Sequence, residues 1–430
     1  MKRDYIFLVL FLLLFSSCRN HTGWVIENPL PVTRTDEVIL LSRNEVANKL
    51  AVPGDKVPVF KEGDQQLASQ VDDFNGDGKW DEVAILINMA PSESRKIYIS
   101  FVEPSQYPVF EKRTNLRLGI LQPDNTYTEV DHYWAPSCRD SFKIIAQAES
   151  VSWENDKFGF RTYFDCRNVK DLFGKLKPGM IIDNLNQPGT KSYHDLADWG
   201  MDVLHCGSSL GSGGIALLKN DSLFRLGSTD GYEYQKIVEG PVRSVFELRY
   251  KGWHVDSLTL DAVERVTIIP GKYWFQSDVT VNGLPEGAQI VTGIVTSRLK
   301  KEPFQFRESG FTCIGTHDVQ SLNNDELGMA VLVPGNETGK IARTTDIDFF
   351  AKGFQTVKEK GFSNIISQTY YVSQKAVNNK PSTHWFAAVW GLEKDQWKTE
   401  AGFRQYLKGE MEKLAHPLII KGLRVTEQEP

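Results

Sequence analysis

Three of the chain's 8 histidines, His132, His194 and His205, fall in one stretch of sequence. Imidazole exchanges a proton near neutral pH, and an acidic neighbour fixes its tautomer and orientation. Tyr193-His194-Asp195 supplies such a setting, so His194 is the candidate base and Tyr193 a candidate acid. Asp131-His132-Tyr133-Trp134 repeats the theme with imidazole, phenol and indole together. His132 is then a second candidate acid, and Tyr133 and Trp134 are platforms for a ligand with flat apolar faces. Arg161 and Tyr163 share one side of a presumed strand, because successive side chains of a strand alternate between faces. A guanidinium there could clasp a carboxylate bidentately, with Arg243 as a second candidate. Trp153 is a candidate for stacking on a sugar face, and His205 joins the candidate binding residues. For any one of these groups the structural alternative is a hydrogen-bonded core histidine, or a salt bridge from Arg161 to Glu154 or Asp165.

Asp73-Phe-Asn75-Gly-Asp77-Gly-Lys-Trp-Asp81-Glu82 places oxygen ligands at alternate positions and glycine at the sixth. That spacing wraps a hard cation, so Asp73, Asn75, Asp77 and Asp81 are candidate ligands for a structural calcium ion. An EF-hand wants glutamate at position 12, where this chain has Ala84. The alternative is an Asn-Gly/Asp-Gly hairpin turn with solvated acids. Gly207-Ser-Ser-Leu-Gly-Ser-Gly-Gly214 lacks the Lys-Ser/Thr of a phosphate loop and reads as a tight turn between strands. There is no GxSxG elbow and no HExxH motif. No organic cofactor is implied.

Elements must hold these residues in place, and their pattern is mostly strand. Glu37-Val-Ile-Leu-Leu41, Asp81–Ile87, Arg243–Tyr250, Arg265–Ile269, Trp274–Val281 and Met329–Val333 place apolar side chains at spacing two between Gly/Pro/Asp turns. The one helical pattern is 400–414, where Phe403, Tyr406, Leu407 and Met411 share a face. The expected architecture is mainly β: a small antiparallel sandwich over 24–105, a looser passage, and a large double-sheet sandwich over 126–430 with a C-terminal helix. Lys+Arg 49 against Asp+Glu 55 gives −6, and with no basic block nucleic acid is not the expected partner.

The first residues read as export. Lys2 and Arg3 precede an apolar run, Ile6 to Phe15, too short to span a bilayer. Ser16-Ser17-Cys18 then resembles a lipobox, so 1–17 is a lipoprotein signal and Cys18 the lipidated residue; an ordinary secretory signal is the alternative. Arg19-Asn-His-Thr22 carries no acidic cluster, which favours a lipid anchor on the periplasmic face of the outer membrane. Cys138, Cys166, Cys206 and Cys313 fit either two disulfides or free thiols.

Gln70–Glu82, Trp153-Glu-Asn-Asp156, Arg161-Thr-Tyr163, Phe173-Gly-Lys175, Gly200–Leu204, Ser209-Leu-Gly211 and Gly240-Pro-Val-Arg243 together resemble a family of exported Bacteroidota proteins, domain of unknown function 4861. The resemblance covers most of the mature chain. It implies a galactose-mutarotase-like supersandwich and a role in polysaccharide utilisation. The activity it implies is an ulvan oligosaccharide dehydratase, which takes water from a terminal uronic acid to leave a 4,5-unsaturated sugar. It supplies no catalytic set. The resulting expectation is a carbohydrate-active lyase acting by β-elimination on a uronic-acid-containing oligosaccharide. A glycoside hydrolase using two of Glu149, Glu154, Asp156 and Asp165 is one alternative. A non-catalytic glycan-binding lipoprotein is the other.

Overall fold

The computed structural model describes residues 23–136, 145–165, 167–227, 229–344 and 365–423. Cys18 with the segment before it, Cys138 and Cys166 lie outside the described residues. Among the described residues no helix is long and apolar enough to cross a membrane.

The protein is mainly β, with antiparallel sheets and a C-terminal helix. The body is built on a nine-stranded sheet. Its order is His132–Pro136, Gly231–Glu239, Ser244–Val255, Leu258–Ile268, Trp274–Asn282, Ser382–Trp390, Glu326–Pro334, Phe311–Val319 and Phe304–Glu308. Two five-stranded sheets pack on it side by side. The first runs Gly200–Asp202, Lys170–Lys175, Gly159–Tyr163, Ser150–Asn155 and Thr114–Arg117. The second runs Ser222–Arg225, Ser212–Lys219, Gln289–Val295, Thr369–Lys375 and Thr338–Arg343. A parallel bridge between Lys170 and Gly211 joins them. One continuous apolar core fills the space between these layers. The alternation seen in the sequence is therefore the inward face of a large two-layer sandwich.

Residues 23–102 form a smaller sandwich of a five-stranded and a three-stranded sheet around Trp24, Phe60, Trp80 and Ile85. Two boundaries differ from those expected. Thr114–Arg117, before residue 126, already belongs to the body. Ile419–Leu423, at the far end of the chain, pairs with Gly23–Glu27 and so completes the small sandwich. The helix Glu400–Ala415 is capped by the Thr399 hydroxyl, which accepts from the Gly402 N–H at 3.1 Å. It buries Phe403, Leu407 and Met411 against the body.

Candidate functional site

Gly159–Tyr163 and Lys170–Lys175 pair with Arg161 directly opposite Asp171. Gly200–Asp202 runs beside Lys170–Lys175 and brings Asp202 to the same place. Gly200 makes this approach feasible, since at φ +134° a Cβ would sit 1.8 Å from the Gly174 carbonyl oxygen. The Arg161 guanidinium is 1% exposed. Its Nη2 lies 2.6 Å from both Asp171 Oδ2 and Asp202 Oδ2. Nη1 donates to the Ala148 carbonyl at 3.0 Å and to the Tyr193 hydroxyl at 3.4 Å. The rings of Tyr163, Phe173 and Tyr193 surround it at 4.9 to 5.2 Å. One buried cation thus holds two carboxylates that would otherwise repel.

The open side of this cluster carries His194. Its Nδ1 is 3.3 Å from Asp202 Oδ2, while its side chain is 56% exposed. Among the described residues Nε2 meets no hydrogen-bond partner. Contact with the Asp202 carboxylate holds the imidazole pKa above its ordinary value, against partial desolvation. The Tyr193 ring lies 4.2 Å from the imidazole. Tyr163 donates to Asp171 Oδ2 at 2.9 Å. Burial raises the pKa of both phenols, so both stay protonated. Burial also raises the pKa of Asp171, opposed by Arg161 and reinforced by the Asp202 charge. Ala148 and Glu149 beside the cluster sit at φ +46° and +60°, a left-handed conformation costing side-chain-bearing residues about 1 kcal/mol or more each. Strain of that kind gathers where a backbone group must point one way, here the Ala148 carbonyl toward Arg161.

His194, Tyr193 and Arg161 therefore come together, although Arg161 is sealed inside and its donors are taken. It positions the acids and phenols; it is not open to a substrate carboxylate. His132 is elsewhere, at the edge of the nine-stranded sheet, exposed and 2.7 Å from Glu233. Tyr133 is half-buried against Phe164, and Trp134 is 47% exposed over Gly231. His205 is exposed beside Ser297. Trp153 is 0% exposed and packs against Phe160, Phe246 and Phe275, so it presents no face to a sugar. Arg243 is buried where the two sandwiches meet: Nε donates to Asp72 Oδ2 at 2.7 Å, and the guanidinium pairs with Glu82 at 2.6 Å. It is a joint between sandwiches. Asp171 and Asp202 were missed by sequence reasoning, though Asp171 had a signal as the cross-strand partner of Arg161.

In the Asp73 loop, Oδ1 of Asp73 accepts from the Asn75 and Gly76 N–H groups and Oδ2 accepts from the Gly78 N–H. Asn75, Asp77 and Asp81 likewise accept from the loop backbone. Among the described residues no three His, Cys, Asp or Glu side chains converge as a metal site. The geometry is a run of side-chain-capped turns. Cys206 and Cys313 are buried free thiols, which removes both from any disulfide.

A large antiparallel sandwich with a carboxylate-held histidine at one end of a buried ionic cluster is the class that fold and site define. The chain belongs to the family described as "Domain of unknown function (DUF4861)", whose model matches residues 26–420. It is 24% identical over 430 residues to "Uncharacterized protein P7" of Formosa agariphila, covering 94% of this chain and 95% of that one. Among solved structures it is similar to an α-mannosidase from Enterococcus faecalis V583, with 9% identity and a TM-score of 0.49, covering 95% of this chain and 46% of that one. A protein in the Glycosyl Hydrolase Family 38 from Enterococcus faecalis matches with 10% identity and a TM-score of 0.47, covering 94% and 47%. The chain spans about half the length of these two structures.

Proposed function

We propose that the protein is a carbohydrate-active lyase that removes water from the terminal uronic acid of an oligosaccharide by β-elimination. The observation that carries this is the His194–Asp202 pair: an exposed imidazole held by a buried carboxylate, next to two phenols kept protonated. β-Elimination at a uronic acid takes the proton from C5, next to the carboxylate, and expels the C4 oxygen as water. Neutral His194 removes the C5 proton through Nε2, and Asp202 stabilises the imidazolium that forms. Tyr193, protonated beside the imidazole, is the acid for the departing hydroxyl, and Arg161 Nη1, 3.4 Å from its oxygen, stabilises the phenolate that forms. Arg161 holds Asp202 and both tyrosines in place without touching substrate.

The hydrolase alternative lacks a free carboxylate pair among its expected residues. Glu154 pairs with Lys175 and accepts from the Ile181 and Ile182 N–H groups, Asp156 pairs with Arg113, and Glu149 and Asp165 both pair with Arg167. The test is direct. Saturated uronic-acid-terminated oligosaccharides from ulvan, pectin and glycosaminoglycans are incubated with the protein, and absorbance of the conjugated C4–C5 alkene is followed. Release of free sugar without an alkene selects the hydrolase. Binding without either product selects the glycan-binding lipoprotein.

A further inference from the structure

We infer that the loop carrying His194 also forms a subsite for a neutral sugar ring, the one next to the terminal uronic acid, with Trp199 as its platform. This rests on the proposed β-elimination reading and adds to it the contact that would make the enzyme prefer an oligosaccharide. Residues 176–199 connect Lys170–Lys175 to Gly200–Asp202 with a single short 3₁₀ turn, Ile182–Asn184. Structureless connections of this length in compact domains usually serve a function.

This loop is held open by particular contacts. The buried Glu154 carboxylate accepts from the Ile181 and Ile182 N–H groups at 2.7 and 3.0 Å, and the buried Lys175 ammonium donates to the Gly179 carbonyl at 2.6 Å. Lys191 Nζ donates to the Leu196 carbonyl at 2.8 Å and ties the two limbs together. Between them lies a cleft of about 600 Å³, within the range of small-ligand sites. Met180, Ile181, Leu196 and Trp199 give it apolar walls, and Asn184 and Lys191 give it polar ones.

Position links the cleft to the chemistry. Thr190 and Lys191 line it, and so do Leu196 to Trp199. The turn between them, closed by the Asp195 N–H donating to the Ser192 carbonyl at 3.1 Å, bears His194. His194 therefore lies in the turn between two stretches of the cleft lining. Phe173 meets both Tyr193 (5.9 Å) and Trp199 (6.4 Å) edge-on, so one ring separates the proposed acid from the platform. Trp199 is half-buried, and its indole N–H has no partner among the described residues. A sugar presents C–H groups to an aromatic face and hydroxyls to N–H donors, which this cleft supplies. The lining carries one ammonium, Lys191, and one carboxylate, Asp198, so its charges balance and the cleft suits an uncharged ring better than a second uronate.

The experiment compares a methyl glycoside of the uronic acid with the corresponding disaccharide, using the full chain and its Trp199→Ala and Trp199→Phe variants. Near-UV circular dichroism confirms folding. Trp199→Ala should raise KM for the disaccharide roughly fivefold to tenfold while leaving the methyl glycoside unchanged, and Trp199→Phe should recover part of the loss. An equal effect on both substrates, or none, overturns the subsite. Calorimetric titration with the disaccharide separates the two readings. If the wild type forms no alkene yet binds, and Trp199→Ala abolishes that binding, the subsite stands and the elimination reading fails. Equal binding by wild type and Trp199→Ala, or none by the wild type, overturns the subsite.

Discussion

At the scale of single residues, the decisive pair is His194 and Asp202. A base must be neutral, and Asp202 raises the imidazole pKa, so the proton stays on to a higher pH than in a free histidine. Alkene formation should therefore rise with pH through a midpoint above the ordinary imidazole value. Asp202→Asn should move that midpoint down and lower kcat, whereas His194→Ala should remove the limb and cut kcat by about 10²-fold or more. Rate profiles from pH 5 to 9, with NMR titration of the His194 ring in the wild type, check both. An unshifted midpoint in Asp202→Asn would exclude the pair as the base.

Between elements, the joint of the two sandwiches matters most. Arg243 from the body reaches Asp72 and Glu82 of the small sandwich, and the Gln70 side-chain oxygen accepts from the Val242 and Arg243 N–H groups at 3.0 Å each. Removing one partner leaves an uncompensated buried charge. Arg243→Ala should thus cost about 3–5 kcal/mol in denaturant unfolding. KM for uronate substrates should stay the same; a rise in KM with unchanged stability would return Arg243 to the binding role first expected of it. The Asp73–Asp81 loop lies beside this joint. A calcium ion there, proposed from the ligand spacing alone, predicts a higher Tm in calcium than in EDTA, read by calorimetry. An unchanged Tm leaves the loop as a turn.

Over the whole molecule, stability should depend on pH through His384. It is fully buried in the core next to the Lys170 charge, and burial with that charge depresses its pKa to about 3. The unfolded chain takes up the proton near 6.5, so stability is lost as pH falls from about 6.5 toward 3, by about 1.4 kcal/mol per unit. His384→Leu should flatten this limb in unfolding measured from pH 7 to 4. Anchoring is also a whole-molecule property. If Cys18 is lipidated and faces the periplasm, Cys18→Ala should move the protein from membranes to the soluble fraction, and protease added to intact cells should spare the wild type. Rapid shaving of the wild type would place it outside. The sequence by itself determined the β character, the C-terminal helix and the adjacency of Tyr193 and His194, because alternation, turn residues and adjacency are local. Tertiary structure alone decided that Arg161 and Trp153 face inward, since a strand's period tells which residues share a face but not which face meets the core. It alone brought Asp171 and Asp202 to one guanidinium, sent His132 to a distant edge and turned Arg243 into a joint, because contacts across sheets are set by register and packing between distant segments.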